Sequence, residues 1–128
     1  HDTVRLNHVL AQPWQVEMAR ILQFTLPGSV CLYYGSELGM VGGEDPESRS
    51  PMRWDLVSPD NPTLAMHRAL LKLRQEQIAL RIGDFRRLHS QKLFAFLRRT
   101  VSARETLVVL ANPTDLPVKE FLQLREAK

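Results

Sequence analysis

The 128-residue sequence predicts an α/β arrangement that gives way to antiparallel β structure. Three observations carry that prediction. Val30-Cys31-Leu32-Tyr33-Tyr34 is a β-branched and aromatic run of strand length, set behind the breaker pair Pro27-Gly28. The segments on either side of it have apolar residues at helical spacing. After Gly83 the period shortens to that of strands, in Leu93 to Leu97 and in Leu107 to Leu110.

Residues 1–12 read as a polar loop, with His1 and Asp2 at its start and Asn7, His8 and Gln12 along it. Pro13 suits the first turn of a helix. From Trp14 to Leu26 the apolar Val16, Met18, Ala19, Ile21, Leu22 and Leu26 fall largely on a helical period, and Pro27-Gly28 stops it. The next run, residues 30–34, reads as a fully buried strand with Cys31 inside it as a small hydrophobe.

Gly35 then opens a long polar loop, residues 36–61, carrying Glu37, Glu44, Asp45, Glu47 and Arg49 among Gly39, Gly42 and Gly43. That is the composition of a site loop more than of a tight turn. Helix, breaker, buried strand and polar loop form one unit of an α/β barrel, in which chemistry sits at the C-terminal ends of the strands. Asn61 is a plausible N-cap for a helix from Thr63 to about Arg81, whose apolar face holds Leu64, Met66, Ala69, Leu70, Leu73, Ile78 and Leu80. Beyond Gly83, residues 92–98 and 107–110 read as two strands, and residues 116–124 as the start of a third.

Composition limits the function classes. The chain holds 17 basic and 14 acidic residues, net +3, but the arginines are scattered without an aromatic-basic stripe, so nucleic-acid binding is not implied. No stretch reaches the roughly 18 apolar residues of a membrane span. One cysteine permits no internal disulfide. His8, His67 and His89 lack metal-ligand spacing and are expected at the surface.

YYGSELGM, followed by DPESRSPMRW, resembles the end of the eighth barrel strand and its loop in the alpha-amylase superfamily, the family 13 glycoside hydrolases. The form of the loop is most similar to the neopullulanase, cyclomaltodextrinase and maltogenic amylase group. His1-Asp2-Thr3, then Arg5-Leu6, resembles the Asn-His-Asp segment that ends the seventh strand, without its Asn. The resemblance implies that residues 1–82 are the last quarter of a (β/α)8 TIM barrel. Residues 83–128 are then the beginning of an antiparallel β-sandwich C-terminal domain. A complete barrel takes about 250 residues, so the chain is expected to be a C-terminal fragment of a longer enzyme.

The site residues follow from the same resemblance. Asp2 is implied as the carboxylate that stabilises the oxocarbenium-like transition state, and His1 as a contact to the hydroxyls of the reacting sugar. Asp45 and Arg49 are implied to hold a glucosyl unit, and a local ion pair that shapes the loop is compatible with that role. Trp54 is the best aromatic platform for a sugar, and packing of the loop is the commoner use of such a residue. Ser36 stands where many relatives have Asp, and Glu37 reads as structural. The acid and the nucleophile, about 5–5.5 Å apart in retaining enzymes, lie in the family on earlier strands.

The implied function is part of a retaining hydrolase of α-glucans, maltooligosaccharides or cyclodextrins. The isolated chain is expected to be inactive, and to need the rest of the barrel or self-association to cover its apolar surfaces. A glucosyl transferase or isomerase of the same family, or a non-enzymatic relative such as a transporter heavy-chain ectodomain, is the alternative. No cofactor is evident, and calcium, if the longer enzyme binds it, has no site here. The resemblance favours the cytoplasm, with the compartment otherwise open.

Overall fold

The computed structural model describes residues 2–124. Four helices precede a three-stranded sheet: α1 (Leu6–Val9), α2 (Pro13–Thr25), α3 (Pro62–Glu76) and α4 (Ile78–Ile82), then β1 (Asp84–Arg87), β2 (Phe94–Arg99) and β3 (Leu107–Ala111).

Helix α2 starts as its sequence implies. Pro13 occupies the first turn, the Gln12 N–H donates to Gln15 Oε1 at 3.4 Å, and the Gln15 N–H donates to the Gln12 carbonyl at 3.0 Å, which satisfies backbone groups at the helix start. Its buried face runs through Val16, Arg20 and Phe24, four residues apart. Ile21, expected on the apolar face, is 39% exposed.

The 63–81 helix is divided. Gln77, at φ −96° and ψ 102°, ends α3 and serves as the N-cap of α4. Asn61 caps α3 as expected, its side-chain oxygen accepting from the N–H groups of Thr63 (2.9 Å) and Leu64 (3.1 Å). Its amide nitrogen donates to the carbonyls of Leu56 (2.9 Å) and Leu38 (3.2 Å), so one side chain fixes the helix start to two points of the site loop. Asn61→Ala is therefore expected to cost about 2 kcal/mol, the upper range for a lost cap, because two carbonyls lose their donor as well. A denaturant titration of the whole protein checks it.

Several expectations need correction. Val30 to Tyr34 belongs to no strand ladder, and Cys31 is exposed. A buried parallel strand takes hydrogen bonds from neighbours on both edges, and the strands this chain forms pair among themselves. The segment is instead held by side chains, as where Gln23 Nε2 donates to the Cys31 carbonyl at 2.9 Å. The 1–12 loop contains the short helix α1. His67 is buried, with Nδ1 2.8 Å from the Thr63 carbonyl and its ring edge-on to Phe24. Its position one turn below Leu70 places it on the inner face, and the local backbone carbonyl satisfies the ring nitrogen. Residues 116–124 form no strand.

The sheet is antiparallel in the order β1-β2-β3, with Asp84 opposite Arg99 and Phe94 opposite Ala111. Strand β1, at Asp84–Arg87, was not expected, because DFRR has no apolar alternation and all four residues are exposed. Central β2 is covered on both faces. Ala95 and Leu97 pack with Leu88, Leu93 and Leu122, while Phe94 and Phe96 on the alternate face gather Phe85 in ring contact.

Candidate functional site

The site loop is anchored at both ends and largely irregular between, with single tight helical turns at Ser36–Leu38, Glu47–Arg49 and Trp54–Leu56. Gly35 adopts φ +80°, and a Cβ there would meet Met40 Sδ at 2.3 Å, so this position takes only glycine. Gly42 gives the second close approach. A Cβ on it would fall 2.7 Å from the Glu47 carbonyl and 3.2 Å from Arg5 Cδ, and its absence lets the loop fold back on itself.

That folding brings Asp2 to Asp45 and Arg49, which are far from it in sequence. Arg49 Nε lies 3.0 Å from Asp45 Oδ1, and its Nη2 donates to Asp2 Oδ1 at 3.2 Å. One edge of the guanidinium fork thus bridges two carboxylates 43 positions apart. Asp45 precedes Pro46 across a cis peptide bond, and the Glu47–Arg49 turn brings Arg49 back towards it. The side chains are well exposed, at 48% for Arg49, 71% for Asp2 and 60% for Asp45. Exposed ion pairs of this kind add little to stability, which leaves the triad open to an incoming polar ligand. Carboxylate acceptors next to a planar donor fork suit a molecule that presents vicinal hydroxyls.

Beneath this triad lies Arg5, which the sequence marked only as part of the HDT-x-R segment. It is buried, its backbone N–H donates to the Gly42 carbonyl at 2.9 Å, and its Nη1 donates to the Tyr34 carbonyl at 2.6 Å. The guanidinium sits 4.8 Å from the centroids of both the Tyr33 and Tyr34 rings. Tyr34 in turn donates its hydroxyl to the Ser50 carbonyl at 2.7 Å, tying the run to the end of the Arg49 turn. Partial burial, then contact with Tyr34, pushes the Tyr33 phenol up from its ordinary range.

Trp54 stands apart from these contacts, 73% exposed at the start of the 54–56 turn. Glu37 lies in the Ser36–Leu38 turn. His1 lies outside the described residues. Among the described residues, no three His, Cys, Asp or Glu side chains stand together as metal ligands.

A cavity of about 270 Å³ lies behind Tyr33, lined in part by Asn7, Arg20, Ser36 and His67. Arg20 crosses its wall to donate to Asn7 Oδ1 at 2.6 Å, and Asn7 Nδ2 reaches the Gly39 carbonyl at 3.0 Å. Burial lowers the Arg20 pKa, and the charge of Glu17 partly offsets this. These residues hold the loop from below, and their polar residue types led the sequence reading to a solvated face.

No family model matches the chain. A cyclomaltodextrinase of Bacillus sp. is 36% identical over 116 residues, which cover 88% of this chain and 20% of that protein. Neopullulanase 2 of Thermoactinomyces vulgaris is 34% identical over 116 residues, with the same coverage of 88% and 20%. The crystal structure of the maltogenic amylase from S. marinus superposes with a TM-score of 0.78 at 28% identity, covering 88% of this chain and 16% of that one. The chain thus spans about a fifth of the length of the curated relatives it matches. Sequence likeness and superposition agree, and the chain belongs to the alpha-amylase superfamily of glycoside hydrolases.

Proposed function

We propose that the chain supplies the Asp2–Arg49–Asp45 edge of a sugar-binding cleft in a whole protein that hydrolyses α-glucans, maltooligosaccharides or cyclodextrins with retention of configuration. The observation that carries this reading is the Arg49 fork bridging Asp2 and Asp45 on an exposed surface. The names of its relatives, a cyclomaltodextrinase and a neopullulanase, supply the substrate class.

In this reading Asp2 accepts hydrogen bonds from sugar hydroxyls and strengthens them as the ring flattens towards the oxocarbenium-like transition state, which lowers the barrier without contact at the scissile bond. His1 contacts hydroxyls of the same sugar. Arg49 and Asp45 hold a neighbouring glucosyl unit, and Trp54 offers its exposed indole face to a further ring. The general acid and the nucleophile belong to other strands of the barrel. Residues 1–82 are then the barrel part and residues 83–128 the β domain, with Arg98 joining the two by its bond to the Thr25 carbonyl.

The test is hydrolysis of maltotriose and β-cyclodextrin by the whole protein, followed by reducing-end release, beside the 128-residue polypeptide. Turnover is expected from the first and none from the second. Activity of the 128-residue polypeptide, or inactivity of the whole protein on every α-glucan, contradicts the reading.

A further inference from the structure

Arg5 is a buried cation of the site region with donors to spare. It is 5% exposed, and its Nε and Nη2 find no hydrogen-bond partner among the described residues, as is also true of the nearby buried Ser48 Oγ. A buried cation with two unspent donors carries a desolvation penalty that full pairing would have reduced. Buried polar groups left in this condition call for a reason in function or in stored strain.

Its contacts supply that reason. Arg5 is three residues from Asp2, and its backbone N–H ties that segment to the site loop by donating to the Gly42 carbonyl at 2.9 Å. Its aliphatic stem passes Gly42, where a Cβ would come within 3.2 Å of Cδ. Its head holds the Tyr34 carbonyl at 2.6 Å and stacks against both tyrosine rings. One side chain therefore touches the Asp2 segment, the 33–35 end and the loop that carries Arg49. The Arg49 bridge itself is exposed and weak, so buried ties such as this one, with the Asn7 contact to the Gly39 carbonyl beside it, bear on the spacing of Asp2 and Arg49.

We propose that Arg5 is a positioning residue for glycoside hydrolysis: acting through Asp2 and Arg49, it holds the transition-state carboxylate and the glucosyl-binding arginine in one rigid frame. The proposal rests on the hydrolytic reading above and adds a residue to it. Arg5 itself is buried and touches no substrate. Its effect comes from geometry, and a displacement of about 1 Å at a reacting group can cost about 100-fold in rate.

The experiment compares Arg5→Met, Arg5→Lys and Asp2→Asn in the whole protein, with kcat expressed per folded molecule and melting followed by circular dichroism. Methionine keeps the stem and removes every donor. Lysine keeps the charge and the ring contacts and loses the fork. The expected result is a fall in kcat of about 100-fold for Arg5→Met and about 10-fold for Arg5→Lys, with a smaller change in KM, because Asp2 acts in the transition state. If Asp2→Asn is as active as the parent protein, the hydrolytic reading itself fails. If Asp2→Asn is inactive while both Arg5 variants keep full kcat per folded molecule, that reading stands and the proposal is overturned. Where Arg5→Met fails to fold, Arg5→Lys decides. Failure of both to fold also overturns the proposal, since Arg5 would then be a folding residue.

Discussion

Asp2→Asn in the whole protein is expected to lower kcat for maltotriose about 1,000-fold, the upper range for loss of one preorganised electrostatic contact to a transition state. Asparagine matches aspartate in size and can still accept a hydrogen bond from Arg49, so the loop should keep its shape. What disappears is the negative charge that faces a developing positive one. Asp2 is 71% exposed in its pair with Arg49, so the melting temperature should hardly move. Steady-state kinetics with a parallel melt check both halves of the expectation. A large loss of stability with an unchanged kcat would make Asp2 a structural residue.

Arg98→Met is expected to cost about 3 kcal/mol of stability, among the larger single-residue effects. Arg98 is 1% exposed. Its Nη1 donates to the Thr25 carbonyl at 2.7 Å, and Nη2 and Nε donate to the Gly83 carbonyl at 2.9 and 3.3 Å. Helix α2 has no basic residue in its last turn, so its terminal carbonyls are satisfied from elsewhere, by Arg98 and by Arg74, whose Nη1 reaches the Phe24 carbonyl at 2.6 Å. Burial lowers the Arg98 pKa, and the charge of Arg74 adds to that effect, so the site holds its cation under load. Methionine fills the stem's volume and abandons two carbonyls in a buried place. Arg98→Lys should fall between, keeping one bond of three. The midpoint of urea unfolding measures the order.

The punctuation of the fold was legible in residues whose local chemistry decides their conformation. Pro13, Pro27-Gly28, Asn61 and Gly83 mark starts and stops because their backbones and caps do so in any context. The strands at Phe94–Arg99 and Leu107–Ala111 follow from β-branched and aromatic runs. Residues 30–34 failed for the opposite reason: a strand is a property of a pair, and the pattern of one edge cannot say whether the other is present. Strand β1 was missed because it is polar, and Asp84–Arg87 is recruited by the register of β2 alone. At the site, the His1-Asp2-Thr3 segment and the loop motif led to Asp2, Asp45 and Arg49, and the structure places Arg49 within hydrogen-bond reach of both carboxylates. Arg5, Arg20 and His67 were hidden, because their residue types predict a wet surface and only tertiary contacts explain their burial. The spacing of Val16, Arg20 and Phe24 on α2 would have placed Arg20 on the inner stripe had periodicity outweighed charge.

The most direct measurement is the structure of the whole protein with a maltooligosaccharide bound. The account predicts a sugar hydroxyl within hydrogen-bond distance of the Asp2 carboxylate, and a neighbouring glucosyl unit held by Arg49 and Asp45. A saccharide bound elsewhere, with the Asp2–Arg49–Asp45 bridge untouched and facing solvent, would contradict it.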